Sequence, residues 1–319
     1  MHRSNKNNLL KSAGQLKTNL RKIRLPRSKS LYSASLVATL ALGLTVAAAG
    51  QSSAGTQAAG SAKPGATNTG VPAGTALKVH KGDLNITKAG TVIDGLDVKG
   101  SVYIRANNVT IKKSLIRGGK PSKTQQAIVV SWWGNTNIKI EDSTIRADYP
   151  SYWQDGISGG NITATRLNIS KVVDSVKVIG GNVSLTNSWL HDNAHFSPDP
   201  NQSDNQTHDD GIQVTGGRNI TITGNSIDGA HNAALMIGQG NTVGNVKISN
   251  NWLGGGGCTI NVTQNGLGTP IHGMAISNNE FAHGNHGTAC PMRLPSASPI
   301  GLSGNVWAAN GRTAAPQRF

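Results

Sequence analysis

The stretch "GIQVTGGRNITITGNSIDG" (residues 211–229) decides how the chain is read. Two short alternating runs, each with aliphatic residues two apart, are separated by Gly-Gly and an asparagine. Alternation of this kind marks strands with one buried face, and glycine and asparagine mark the turns between them. The second run recurs along the chain. "NVTIKKSLIRG" (108–118), "NIKIEDSTIRA" (137–147), "NITATRLNIS" (161–170), "NVSLTNSWLHD" (182–192), "NVKISNNWLGG" (245–255) and "GMAISNNEFAHG" (273–284) share its plan. The shared form is Asn-aliphatic-x-aliphatic, two residues, a polar residue that is often Asn or Ser, any residue, then an apolar residue. A pair of strands this short cannot bury one face alone, but stacked copies can, so the period predicts a solenoid.

Each Asn run is preceded by another strand: "AIVV" (127–130), "GIS" (156–158), "SVKV" (175–178), "GIQV" (211–214), "ALMI" (234–237) and "CTINV" (258–262). The inward positions are Ile128, Ile157, Val176, Ile212, Leu235 and Ile260. With these aligned, the position two before reads Gln126, Asp155, Asp174, Asp210, Ala233 and Cys258, and the outward position after reads Val129, Ser158, Lys177, Gln213, Met236 and Asn261. "ACPMRL" adds Cys290 and Arg293 to the same two columns. Cys258 and Cys290 then fall on successive coils, with Cα atoms ~5 Å apart, inside the disulfide range.

The repeats resemble the right-handed parallel β-helix family that includes pectate lyases and polygalacturonases. The resemblance covers about residues 75–310. It implies an all-β, single-stranded right-handed parallel β-helix of about 8–10 coils. The expected organisation is a signal or leader segment (1–50), a flexible linker (51–72), the β-helix (73–311) and a C-terminal tail (312–319). Residues 1–63 carry ten Lys/Arg and no acid, and an apolar run followed by small residues closes the leader; this is the pattern of an export signal. The expected location is therefore extracellular, or the cell surface if the leader is uncleaved, with no stable membrane span after processing. Of the net charge of +15, only about +5 belongs to the chain from residue 64 onward, which argues against a nucleic-acid partner. No nucleotide, haem or flavin signature is present.

Asp155, Asp174 and Asp210 on successive coils would repel one another when ionised, so the column calls for a cation, a proton or a partner such as Lys177. A structural ladder would use asparagine, as the chain does elsewhere; Asp-Gly turn chemistry is the alternative for Asp155 and Asp210. The long connection 191–210 supplies His191, His195 and His208, and the His191/His195 spacing matches a zinc pair only on a helix, which nothing here predicts. Asp209 is expected to project toward this loop while Asp210 faces the groove. His231 falls one coil beyond His208, and "YPSYWQ" (149–154) brings Tyr152 and Trp153 to the Asp155 strand.

The family resemblance implies a polysaccharide substrate across this sheet; the basic residues at 78–123 favour an acidic one, and a monomer is expected. In a lyase, Ca²⁺ held by Asp155, Asp174, Asp209 and Asp210 would bind a uronate carboxylate while Lys177 abstracts the C5 proton. Asp174, Asp210 and His208 complete the expected catalytic group; Tyr152, Trp153, Gln213, His231 and Arg293 are expected to bind substrate. A glycoside hydrolase using the Asp column is the alternative, as is a non-catalytic glycan-binding or adhesion β-helix. The Gly-His-Gly and Arg-x-Lys signatures of polygalacturonases and the Arg-x-Pro-x-x-Arg pattern of pectate lyases are absent. Lys177→Ala is expected to leave folding intact, because the side chain points outward.

Overall fold

Left-handed turns set the shape. Asn108, Asn137, Asn161, Asn182, Asn219 and Asn245, the residues that open six of the repeats, all have φ between 53° and 61°. Asparagine tolerates this region better than other non-glycine residues, and Gly273 takes the same place in the seventh repeat with φ of 70°. The asparagines also bond to one another: Asn137 Nδ2 donates to Asn108 Oδ1 (2.8 Å), Asn182 to Asn161 (2.9 Å), Asn219 to Asn182 (3.0 Å) and Asn245 to Asn219 (2.6 Å).

A second polar ladder runs inside. The repeat's Asn or Ser position carries Asn225, Asn251, Asn279 and Asn305, all buried. Each side-chain oxygen accepts the backbone N–H of the preceding coil, from Asn225 N to Asn251 Oδ1 (2.8 Å) through Asn279 N to Asn305 Oδ1 (3.2 Å). The backbone groups freed at each bend are thereby satisfied without water.

The computed structural model describes residues 62–319 except 122, 123, 125, 133 and 284–288. Its strands form three sheets, two of ten strands and one of nine, with every pairing between named strands parallel. Each coil gives one strand to each sheet, which is the right-handed parallel β-helix expected from the repeat. The interior is filled by Ile, Val and Leu, including Ile104, Ile111, Ile116, Ile140, Ile157, Ile169 and Leu185, with Phe281 the largest fully buried side chain among the described residues.

The sheet that carries the Asp column contains Gln126–Ser131, Gln154–Gly159, Val176–Val178, Asp210–Val214, Ala233–Gln239, Ile260–Gly266 and Met292–Leu294. The inward register Ile157, Val176, Ile212, Leu235, Ile260 is the one the alternation predicts, and Met292 continues it. The first strand is the exception. Ile157 pairs with Val129, so Ala127 and not Gln126 lies beside Asp155, and Val130 replaces Val129 in the outward column. "AIVV" has three consecutive β-branched residues, and Ile128 and Val129 are both fully buried, so alternation alone leaves the register there open.

Cys258 and Cys290 are joined in a disulfide with Cα atoms 4.7 Å apart, as the shared column predicts. The bond closes a 32-residue separation. Replacing both cysteines by serine should cost about 2–4 kcal/mol in chemical unfolding, and a reductant should have the same effect on the wild type only.

The expected leader and residues 51–61 of the expected linker lie outside the described residues. Residues 62–72 are tied to the coils: Gly70 N donates to Arg166 O (2.8 Å) and Val71 N to Thr144 Oγ1 (3.1 Å). At the other end, Gln317–Arg318 pairs in parallel with Met292–Leu294, so the last residues extend the sheet. Among the described residues no helix is long and apolar enough to cross a membrane.

Candidate active site

The Asp column is a ladder of carboxylates that bind the next coil. Asp155 Oδ1 accepts the backbone N–H of Asp174 (3.2 Å), and Asp174 Oδ1 accepts that of Asp210 (3.0 Å). Their second oxygens face Lys177, whose Nζ lies 2.9 Å from both Asp155 Oδ2 and Asp174 Oδ2. Asp210 Oδ1 accepts Asn232 Nδ2 (2.8 Å), and its Oδ2 accepts Gln213 Nε2 (3.4 Å). All three aspartates are buried, and Lys177 is only 21% exposed.

Charge states follow from this packing. Burial pulls the Lys177 ammonium down, but Asp174 and Asp155 outweigh it and hold the amine above its usual range. An ammonium held this way accepts no proton at neutral pH, which removes the feature that a lysine base requires. Burial first, and then the Asp155 charge, push Asp174 up to about 7 against the pull of Lys177. Burial and Asp174 likewise raise Asp210 well above the usual carboxylate range.

The sign of the Asp174 shift gives a pH dependence. A carboxyl that holds its proton more tightly when folded adds stability that is fully present below about 3.8 and is lost as pH rises through about 7. Unfolding free energy should therefore fall across this window, by at most about 1.4 kcal/mol per pH unit for this one proton. Asp174→Asn, which keeps an oxygen for the Asp210 N–H, should flatten that part of the profile in urea titrations at stepped pH.

The four carboxylates expected to hold Ca²⁺ do not form one oxygen cage. Lys177 already stands between Asp155 and Asp174, and Asp209 faces the other way. Asp209 is fully buried, with Oδ1 2.7 Å from His195 Nδ1. Its Oδ2 accepts the backbone N–H of His231 (2.8 Å) and lies 3.3 Å from His231 Nδ1. The two imidazoles stack with centroids 4.0 Å apart.

This corner opens on a cavity of about 180 Å³ lined by His195, Asp204, Gln206, Thr207, His208, His231 and Asn232. His208 Nε2 lies 2.9 Å from Asp204 Oδ2 on its rim. The loop that supplies most of the lining is internally stapled. Buried Asp199 accepts Thr207 Oγ1 (3.0 Å), and Asn193 Nδ2 donates to Val173 O (2.7 Å) and Asp210 O (2.9 Å). Tyr152 packs edge-on against Phe196 of the loop (5.9 Å) and tilted against its neighbour Trp153 (5.4 Å).

The structure thus joins His208 and His231 in one cavity with Asn232, and sets Asp209 beneath it. Gln213 lies over Asp210. Arg293 sits three coils beyond Gln213 in the same column, with its guanidinium 4.0 Å from the Phe319 ring. His191 is turned away, stacked on Trp189 at 3.4 Å and bonded to Asp192. His195, Asp204, Gln206 and Asn232 are lining residues that the repeat gives no means to single out, since they lie in connections without periodicity.

No protein-family model matches the chain, nor does any curated protein sequence. Among solved structures, the Dettilon tailspike protein gp208 is similar at 14% identity with a TM-score of 0.44, over 76% of this chain and 60% of that one. The chain thus spans about three fifths of the length of that protein.

Proposed function

We propose that this β-helix is a polysaccharide lyase that cleaves a uronate-containing chain by β-elimination, with His208 as the base. The observation that carries the reading is a polar cavity that holds the His208–Asp204 pair together with amide and imidazole donors. Elimination needs a base for the C5 proton and donors that draw charge from the uronate carboxylate, so that the proton becomes acidic. Asp204 bonds Nε2 of His208, which leaves Nδ1 to take the proton when the ring is the Nε2–H tautomer. Asn232, Gln206 and His231 line the same cavity and supply N–H groups for the carboxylate. The buried Asp209 fixes the two stacked histidines, and the Asp155–Lys177–Asp174 cluster holds the underlying coils in register. The aromatic pair Tyr152 and Trp153 suits sugar faces along the sheet.

The test is a panel of acidic and neutral polysaccharides incubated with the protein, with and without EDTA, and read by ultraviolet absorbance of the unsaturated uronate. Absorbance that develops on acidic members alone is the expected result. Reducing ends without absorbance would replace the reading by hydrolysis, for which Asp174 and Asp210 are the acid–base pair. Retention of a polysaccharide without cleavage would replace it by a glycan-binding module.

A further inference from the structure

We propose that His195, Asp209 and His231 form a binding site for a divalent transition-metal ion, with an open position toward the cavity. The three residues come from three connections that the coil stack brings to one corner: the loop after Trp189–Leu190, the residue before Asp210–Val214, and the turn before Ala233–Gln239. One donor atom from each lies within 4.8 Å of the others. The Asp209 oxygens stand 2.7 and 3.3 Å from the two Nδ1 atoms. Tetrahedral ligands at metal bonds of about 2.0–2.2 Å are roughly 3.3–3.6 Å apart, so both oxygen–nitrogen distances lie within about 1 Å of that separation.

The donor set selects the ion. Two imidazoles and one carboxylate suit Zn²⁺, Co²⁺ or Fe²⁺, whereas Ca²⁺ prefers oxygen alone. The supporting contacts are also of the right kind. Asp209 is wholly buried and its orientation is set by the His231 backbone N–H (2.8 Å), so one ligand is held before any ion arrives. His195 and His231 both line the cavity, which gives an ion access from solvent and room for a water or an anionic oxygen on its free side. Such an ion would take a carboxylate oxygen of the substrate beside His208. That consequence rests on the lyase reading; the binding of the ion does not.

Titration of the metal-depleted protein with Co²⁺ tests the site without substrate. The expected result is a saturable visible d–d band of low-coordinate Co²⁺, displaced by Zn²⁺. His195→Ala and His231→Ala should each abolish it. His80→Ala, on the N-terminal coils, should leave it unchanged. Asp209→Asn should abolish it too, with thermal unfolding recorded alongside because this residue is buried; the two histidine variants carry the test if that variant does not fold. A wild type without the band overturns the proposal, and so does a band of equal strength in both histidine variants, which would mark scattered surface histidines. Neither failure touches the lyase reading, since unsaturated product from metal-depleted protein would stand alone.

Discussion

His208→Ala should lower the rate of unsaturated-product formation by about 10²–10⁴-fold, the range for removing a positioned general base. The residue suits a clean comparison because its side chain is 48% exposed and its bonded partner, Asp204, is also on the surface. Its removal should leave the unfolding midpoint within the small range of ordinary surface substitutions, about ±0.5 kcal/mol. Asp204→Asn should cost less, because the amide oxygen can still accept the Nε2–H bond that leaves Nδ1 free, while the carboxylate charge is lost. Steady-state kinetics should place the His208 effect in kcat, since the proton transfer is made only in the transition state. An effect confined to KM would instead make His208 a binding residue.

The second large effect is on stability. Lys177→Ala should destabilise the fold by about 3–5 kcal/mol, because it leaves Asp155 and Asp174 buried without their shared cation. The loss should grow as pH rises, since at lower pH the orphaned carboxyls can be neutralised by protons. Denaturant unfolding of the variant between mildly acidic and mildly alkaline pH measures both. The double replacement Lys177→Met with Asp155→Asn should recover part of the loss, as it removes one charge of each sign. A stability unchanged at all pH values would show that the cluster contributes nothing to holding the coils. The expectation that Lys177 can be removed without loss of folding rightly points the side chain outward beside the Asp column, but it leaves out how deeply Asp155 and Asp174 are buried around it.

That contrast separates what is legible in this sequence from what is not. The asparagines that open the repeats could be read directly, because a left-handed turn restricts residue choice and the ladder repeats that choice coil after coil. The strand register could be read wherever one aliphatic residue alternates with polar ones, and it placed Cys258 opposite Cys290. It slipped at Ala127–Val130, where three adjacent β-branched residues satisfy two registers equally. Asp209 was expected to reach toward the long loop, and it does, through His195. Which loop residue would meet it could not be read, because a contact across fourteen residues of aperiodic chain leaves no spacing to detect. Asp174 could be placed beside Asp155, but the upward shift of its carboxyl depends on the depth of burial, which is a property of neighbouring coils and not of its own strand.

The most direct measurement of the central claim is a count of chain ends on one purified acidic polysaccharide. Unsaturated uronate ends, read by ultraviolet absorbance, and new reducing ends should be quantified in the same samples through the time course. β-Elimination at the His208 cavity predicts that the two rise in equal number with the wild type, and that both fall together in His208→Ala. Reducing ends that accumulate without unsaturated ends, or equal rates in the wild type and His208→Ala, would contradict it.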